Sequence, residues 1–108
     1  MRRTFVETPL FASTAKGVLS DEALRAAQDA LLDDPQAGAV VRGTGGARTL
    51  RVALSGAGKS GGARVLYVYV AARARVYLLL AYPKNVADNV SDAGRQVLAG
   101  HVRTIQEE

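Results

Sequence analysis

The residues of this sequence best suited to chemistry are a central group of cations with no anionic counterpart. Between Gly43 and Asn85 the chain carries seven Lys or Arg residues and no Asp, Glu or His. The seven are Arg48, Arg51, Lys59, Arg64, Arg73, Arg75 and Lys84. Outside this window seven basic residues are outnumbered by ten acidic ones, so the formal charge of +4 arises within it. Such a segment repels itself unless it binds an anion, which points to a polyphosphate partner, above all nucleic acid.

RNA cleavage is a reaction that such a segment can perform, because RNA supplies its own nucleophile. The 2′-hydroxyl attacks the neighbouring phosphate and leaves a cyclic phosphate, so the protein must stabilise a dianionic phosphorane and assist two proton transfers. The window offers only Lys, Arg and Tyr for these tasks. A guanidinium fork matches phosphate oxygens, which favours Arg51 and Arg64 as phosphate contacts. Lys84 is the candidate for proton transfer or charge stabilisation.

Length and composition limit the other classes. At 108 residues there is room for one domain, which we expect to span residues 1–108. The absence of cysteine excludes disulfides and thiolate metal sites, and a single histidine, His101, argues against a zinc enzyme. There is no signal-peptide apolar region, and the longest apolar stretch is too short to span a membrane. We therefore expect a soluble, cytoplasmic protein without a metal or cofactor.

Capping signals predict three helices. Ser20 is a strong start, because two acidic residues follow it at the positive end of the helix dipole. Apolar residues then repeat at three-to-four spacing until a proline stops the pattern. The helices are expected from Thr8-Pro9 to Lys16-Gly17, from Ser20 to Asp34-Pro35, and from Ser91-Asp92 onward with Val97 or Leu98, Val102 and Ile105 on one face.

Three strands are predicted between the second and third helices, over 49–54, 65–70 and 76–82. Alternating polar and apolar residues mark the first, and β-branched and aromatic residues mark the others. The connections are too short for crossover helices, so the strands should form an antiparallel meander. The expected fold class is α+β, with helices packed on one face of a small antiparallel sheet that an N-terminal strand can extend.

One motif in the window is misleading. Residues 53–60 fit a relaxed Walker A phosphate loop and follow a predicted strand. A Walker loop needs a helix that begins at its Lys-Ser, so that backbone N–H groups converge on the phosphates. Here Gly61-Gly62 and a strand follow instead. The sequence therefore favours a flexible basic hairpin loop over nucleotide hydrolysis.

Residues 43–51, 58–67 and 82–85 together resemble the HigB branch of the RelE/ParE toxin superfamily. The most specific part is Gly58-Lys-Ser-Gly-Gly-Ala-Arg64-Val-Leu-Tyr67, and the resemblance runs from Thr4 to the final helix. Members of the HigB and RelE branches are toxins of bacterial toxin–antitoxin pairs. They enter the ribosomal A site and cut messenger RNA there without a metal, and an antitoxin, often with a helix-turn-helix domain, neutralises them.

The resemblance implies a RelE-like fold, with a cognate antitoxin, the 70S ribosome and mRNA as partners. It also places Arg51 and Arg64 where the family has basic residues on the first strand and at the start of the second. The sequence departs from the family at three points. Thr49 stands where many relatives have lysine, Asn85 stands where RelE has arginine, and the C-terminal tyrosine of some members has no clear equivalent.

The other candidate residues are predicted contacts to RNA or the ribosome, and all but Lys59, which we favour as a contact over a catalyst, have a simpler explanation. Arg48 and Arg51 can be the solvated face of a strand, Arg73 and Arg75 can keep a hairpin soluble, and Tyr82 can pack on the sheet rather than stack on a base. We expect Tyr67, Tyr69 and Tyr77 to pack and His101 to lie on a helix surface. The predicted contacts are Arg48, Lys59, Arg73, Arg75 and Tyr82.

Two other functions fit the same sequence. A non-enzymatic inhibitor of DNA gyrase of the ParE kind would share the fold, although ParE-like members generally lack a triple basic set such as Arg51, Arg64 and Lys84. An RNA-binding module would use the same charge only to hold phosphates. Substitution of Arg64 separates cleavage from both alternatives.

Overall fold

The computed structural model of the protein describes residues 3–53, 62–84 and 92–108. Within these ranges the strands form one sheet in the order β1-β5-β4-β3-β2. β1 runs parallel to β5, and the other neighbouring strands are antiparallel. No helix in this part of the chain combines the length and apolarity that crossing a membrane requires. The elements are β1 (Thr4–Glu7), α1 (Pro9–Ala15), α2 (Asp21–Asp33), β2 (Ala39–Val40), β3 (Arg48–Val52), β4 (Ala63–Val70), β5 (Arg75–Pro83) and α3 (Asp92–Gln106).

Side-chain caps start the two N-terminal helices where the sequence predicts them. The Thr8 hydroxyl accepts a hydrogen bond from Phe11 N at 3.2 Å, and Pro9 occupies the first helical position. The Ser20 hydroxyl accepts one from Ala23 N at 3.1 Å. All three predicted helices are confirmed, although the serine predicted to cap the last one lies outside the described residues.

The predicted three-strand meander is confirmed as β3, β4 and β5. The second and third strands are slightly longer than predicted, and the end of the first, at residue 54, lies outside the described residues. A single turn of 3₁₀ helix over Ala71–Arg73 joins β4 to β5. Ala74 closes this turn in the left-handed conformation, with φ of 51°. The register places Arg51 opposite Arg64, and Arg64 opposite Tyr82.

The sheet is mixed rather than purely antiparallel. The candidate N-terminal strand is present as β1, and its Phe5 lies parallel to β5 opposite Val76. A second edge strand, β2, pairs Ala39 with Thr49 and was not predicted. Two residues are too short to show a hydrophobic period, so sequence patterning could not reveal β2.

The prediction that the helices pack on one sheet face is wrong for α3. Phe11 of α1 and Leu31 of α2 are fully buried in a cluster with Leu50, Val65 and other strand residues. Val102 of α3 is buried in a second cluster on the opposite face. The reason is visible in β4, where six consecutive residues, 63–68, are buried. A strand that is apolar on both sides needs cover on both faces.

Tyr67 joins β4 to the loop that follows α2. Its ring is fully buried, and its hydroxyl donates to Pro35 O at 2.9 Å and accepts from Gly38 N at 3.0 Å. A Cβ atom on Gly38 would lie 2.8 Å from Thr49 O and 2.9 Å from the Tyr67 ring, so only glycine fits there. Burial raises the pKa of the Tyr67 hydroxyl above its usual value.

We expect Tyr67→Phe to lower the free energy of unfolding by about 1–3 kcal/mol, because two buried backbone groups lose their partner. Because the folded-state pKa is raised, Tyr67 favours folding below the tyrosine pKa of the unfolded chain, and this contribution is lost at higher pH. The free energy of unfolding of Tyr67→Phe should therefore fall less between neutral and alkaline pH than that of the parent protein. Urea denaturation at neutral and alkaline pH measures both effects. The matched control is Tyr69→Phe on the half-buried end of the same strand, and equal losses in the two variants would contradict the assignment.

Candidate functional site

Two arginines and a tyrosine form a row across the three central strands. Arg51, Arg64 and Tyr82 occupy directly opposed positions on β3, β4 and β5. Leu50 and Val52 point into the core under α1 and α2, so strand alternation turns Arg51 toward the α3 face. Tyr82 packs against the cluster on that face, and the register brings Arg64 to the same side. The row therefore lies on the sheet face that α3 covers.

Lys84 joins the two arginines at this end of the sheet. Arg51, Arg64 and Lys84 line one cleft of about 180 Å³ together with Val52, Ala53 and Gly62. The Lys84 N–H donates to Gly62 O at 3.0 Å, which fixes the chain where β5 ends beside the start of β4. The three residues that the sequence selects as a reaction centre thus border the same space, and their catalytic roles remain predictions.

The electrostatics of the cleft favour an anion. Arg64 is only 6% exposed, whereas Arg51, directly opposite, is exposed. Like charges at opposed positions of an antiparallel pair repel each other. No carboxylate is among the described residues that line the cleft. A phosphate would relieve the repulsion and receive hydrogen bonds from guanidinium groups that the sheet already holds in position.

Tyr82 lies beside the cleft rather than in its lining. It is half-buried on β5, opposite Arg64 and two residues before Lys84. This position is compatible with packing of Tyr82 on the sheet and with its stacking on a base, since the side chain is partly buried against the α3-face cluster and partly accessible.

Arg48 lies away from the cleft and takes part in internal contacts. Its Nη1 donates to Gly38 O at 2.8 Å and to Gln36 O at 3.2 Å, which ties β3 to the loop after α2. The predicted contact of Arg48 with RNA stays a prediction, but the structure gives this side chain a clear internal role. The corresponding prediction for Lys59 falls outside the described residues.

Arg73 and Arg75 lie at the opposite end of the β4–β5 pair, about 23 Å from the cleft by strand rise. Arg73 Nη2 donates to Ile105 O at 2.8 Å and to Gln106 O at 3.1 Å, so it binds carbonyls at the C-terminal end of α3. Its Nη1 contacts Glu108 at 3.3 Å and the Tyr77 hydroxyl at 3.0 Å. A hydrogen bond to Tyr77 raises the pKa of Arg75. Neither arginine joins Arg51 and Arg64.

Two basic residues that sequence reasoning missed line a second cleft. Arg42 and Arg95 border an open space of about 500 Å³ together with Gly43 and Gln96. Arg42 lies immediately before the acid-free window, and Arg95 lies in the predicted last helix. No local pattern indicates that these two residues line one cleft, because their proximity depends on how α3 packs beside the 41–47 loop.

Among the described residues, no three His, Cys, Asp or Glu side chains lie close enough together to hold a metal ion.

Comparison with known proteins identifies the class. The family model described as "RelE toxin of RelE / RelB toxin-antitoxin system" matches residues 2–108. The chain therefore belongs to the RelE toxin family. Its fold is similar to that of the E. coli toxin RelE, solved in the free state as a double arginine-to-alanine mutant. The TM-score is 0.62 with 16% sequence identity, over 91% of this chain and 100% of that one.

Removal of the Arg51 charge tests the repulsion across the cleft. Like charges at opposed strand positions cost roughly 0.2–1 kcal/mol, and salt screens this repulsion. Added salt should therefore stabilise the parent protein more than it stabilises Arg51→Ala. Thermal melts at low and high NaCl concentration measure this difference. Arg51→Lys keeps the charge and serves as the control. A salt dependence of Arg51→Ala equal to that of the parent would show that the pair is not repulsive.

Arg73 and Arg75 provide a matched pair of variants that tests whether the hairpin holds the C-terminal end of α3. Arg73→Ala should lower the free energy of unfolding by about 1–2 kcal/mol, because the last carbonyls of α3 lose a charged donor. Arg75→Ala removes the same charge but only a contact of 3.4 Å to Tyr77, and it should be nearly neutral. Urea denaturation followed by circular dichroism measures both, and equal stabilities would contradict the helix-end role.

Proposed function

We propose that this chain is the toxin of a type II toxin–antitoxin pair and a ribosome-dependent endonuclease that cuts mRNA in the A site, as members of the HigB and RelE branches do. The observation that supports the proposal best is the cleft shared by Arg51, Arg64 and Lys84. Membership of the RelE family supports the toxin class and an antitoxin partner. The 70S ribosome, mRNA and a helix-turn-helix antitoxin are the proposed partners, and the cytoplasm is the proposed location.

The proposed reaction needs no metal. The 2′-oxygen of one nucleotide attacks the adjacent phosphorus, the bond to the 5′-oxygen of the next nucleotide breaks, and a 2′,3′-cyclic phosphate and a 5′-hydroxyl are formed. The proton lost by the 2′-hydroxyl leaves to the surroundings, and the 5′-oxygen gains one. Arg51 and Arg64 contact the non-bridging oxygens, whose charge increases in the phosphorane. Lys84 donates the proton or stabilises the charge on the leaving oxygen.

Burial suits Arg64 to the central role. A guanidinium held within a sheet reorganises little when charge develops on the phosphate, so its stabilising effect is already in place at the transition state. Arg51 is more exposed and can adjust to the incoming strand. Tyr82 lies opposite Arg64, and we assign it the stacking contact with a base next to the reacting phosphate.

The proposal predicts that Arg64→Ala lowers the rate of A-site mRNA cleavage by about 10²–10³-fold, the effect of removing one electrostatic contact to a transition state. Toe-printing on translating ribosomes detects the new cleavage ends, and growth arrest on expression reports toxicity. Arg51→Ala and Lys84→Ala should act in the same direction.

The control is Arg25→Ala, which removes an equal charge from an exposed position on α2, on the other face of the sheet. Circular dichroism establishes that each variant is folded. If Arg64→Ala, Arg51→Ala and Lys84→Ala all keep parental cleavage and toxicity, the nuclease assignment is wrong. Inhibition of DNA supercoiling without transcript cleavage would identify a gyrase inhibitor, and salt-dependent RNA binding alone would identify a binding module.

A further inference from the structure

A second basic cleft lies between the 41–47 loop and the start of α3. Arg42 contributes from the loop and is exposed, whereas Arg95 contributes from the first turn of α3 and is half-buried. Gly43 and Gln96 complete the described lining, so the cleft presents two guanidinium groups, an amide and glycine backbone, with no carboxylate among these residues. Its volume is about 500 Å³ and it is open to solvent.

The loop that carries Arg42 is held by its own hydrogen bonds. Val41 N donates to Ala47 O at 2.9 Å, and the buried Thr44 hydroxyl donates to Val41 O at 2.7 Å and accepts from Ala47 N at 3.1 Å. Gly43 has a φ of 78°, a conformation that favours glycine. Arg42 therefore projects from a closed turn with a fixed course, and binding there does not require the turn to be ordered first.

Packing against α3 fixes the other wall of the cleft. The Gln106 side chain donates to Gly45 O at 3.1 Å, and a Cβ on Gly45 would lie 3.8 Å from Val102. A Cβ on Gly43 would lie 3.9 Å from the Arg95 Cδ atom. The loop thus runs along the same side of α3 that carries Arg95, which sets the position of Arg42 relative to Arg95.

The second cleft is on the same face of the sheet as the first. The C-terminal end of α3 is held at the β4–β5 hairpin by Arg73, and Val102 packs on the face of the sheet toward which Arg51 and Arg64 are turned. Arg95 lies about 16 Å along the helix axis from Gln106. Both clefts therefore lie on the α3 face of the sheet, from which one extended polyanion can approach them.

We propose that the Arg42–Arg95 cleft binds a backbone phosphate of RNA at a nucleotide other than the one that is cut. This proposal rests on the proposed function and adds to it a binding site that contributes affinity but no chemistry. Two guanidinium groups match phosphate oxygens, the Gln96 amide supplies a neutral donor, and Gly43 lets the RNA backbone approach closely. Carboxylates of a protein partner are the competing ligand, and the experiment separates the two.

The test uses stalled 70S complexes with a defined A-site codon and measures cleavage in single turnovers at increasing toxin concentration. Arg42→Ala should raise the concentration that gives half-maximal rate by about tenfold, as expected for the loss of a charged contact. The maximal rate should stay within about twofold, and the salt slope of ribosome binding should fall by about one. Arg42→Lys, which keeps the charge, should recover most of the affinity.

Controls separate this effect from folding and from the reaction centre. Arg25→Ala removes the same charge on the other face and should behave like the parent, whereas Arg64→Ala should lower the maximal rate instead. Co-sedimentation with 70S ribosomes, with and without mRNA, reports whether ribosomal or messenger RNA supplies the phosphate. It also tests the cleft if the parent protein cleaves nothing.

Three results would overturn the proposal. Arg42→Ala can match Arg25→Ala in both half-maximal concentration and salt slope, it can weaken binding of the antitoxin but not of the ribosome, or the parent protein can fail to bind ribosomes at all. The first two results leave the nuclease assignment intact. If the parent protein binds ribosomes but does not cleave mRNA, only the nuclease assignment is wrong. The two hypotheses can therefore fail separately.

Discussion

The antiparallel pairing of β4 with β5 is the interaction on which the rest of the structure depends. The register of this pair places Arg64 opposite Tyr82. The cleft of Arg51, Arg64 and Lys84 lies at one end of the pair, and the β4–β5 hairpin lies at the other. Both strands are apolar on both faces, so they require α1 and α2 on one side and α3 on the other. The free energy gained by burying these side chains holds a group of cations together that would otherwise move apart.

That arrangement explains how a cleft whose described lining contains no carboxylate is ordered. In many active sites an acidic residue orients the basic one, but none of the described residues that line the first cleft can do so. Strand register and burial restrict the position of Arg64, and the backbone N–H of Lys84 is held by its hydrogen bond to Gly62 O. The described lining of the cleft thus contributes positive charge and no carboxylate, which favours the binding of a phosphate.

The sequence predicts the elements better than their packing, and the reasons are physical. Caps at Thr8 and Ser20 and the alternation in β3 are local signals, and each leads to the observed element. Three other features depend on contacts distant in sequence. They are the side on which α3 packs, the two-residue strand β2, and the cleft that Arg42 and Arg95 both line. One nonlocal signal was available, since the unbroken apolar run of β4 indicates cover on both faces.

The charge of the central window has two structural uses that composition cannot distinguish. Arg48 and Arg73 donate to backbone carbonyls of the loop after α2 and of the end of α3, so part of the basic excess supports the fold. Arg51, Arg64 and Lys84 border an open cleft instead. The first group is connected to the Arg42–Arg95 cleft through α3, because the contacts of Arg73 hold the end of the helix whose first turn carries Arg95. A shift of α3 along its axis would therefore change the spacing between the two clefts without moving any residue of the first.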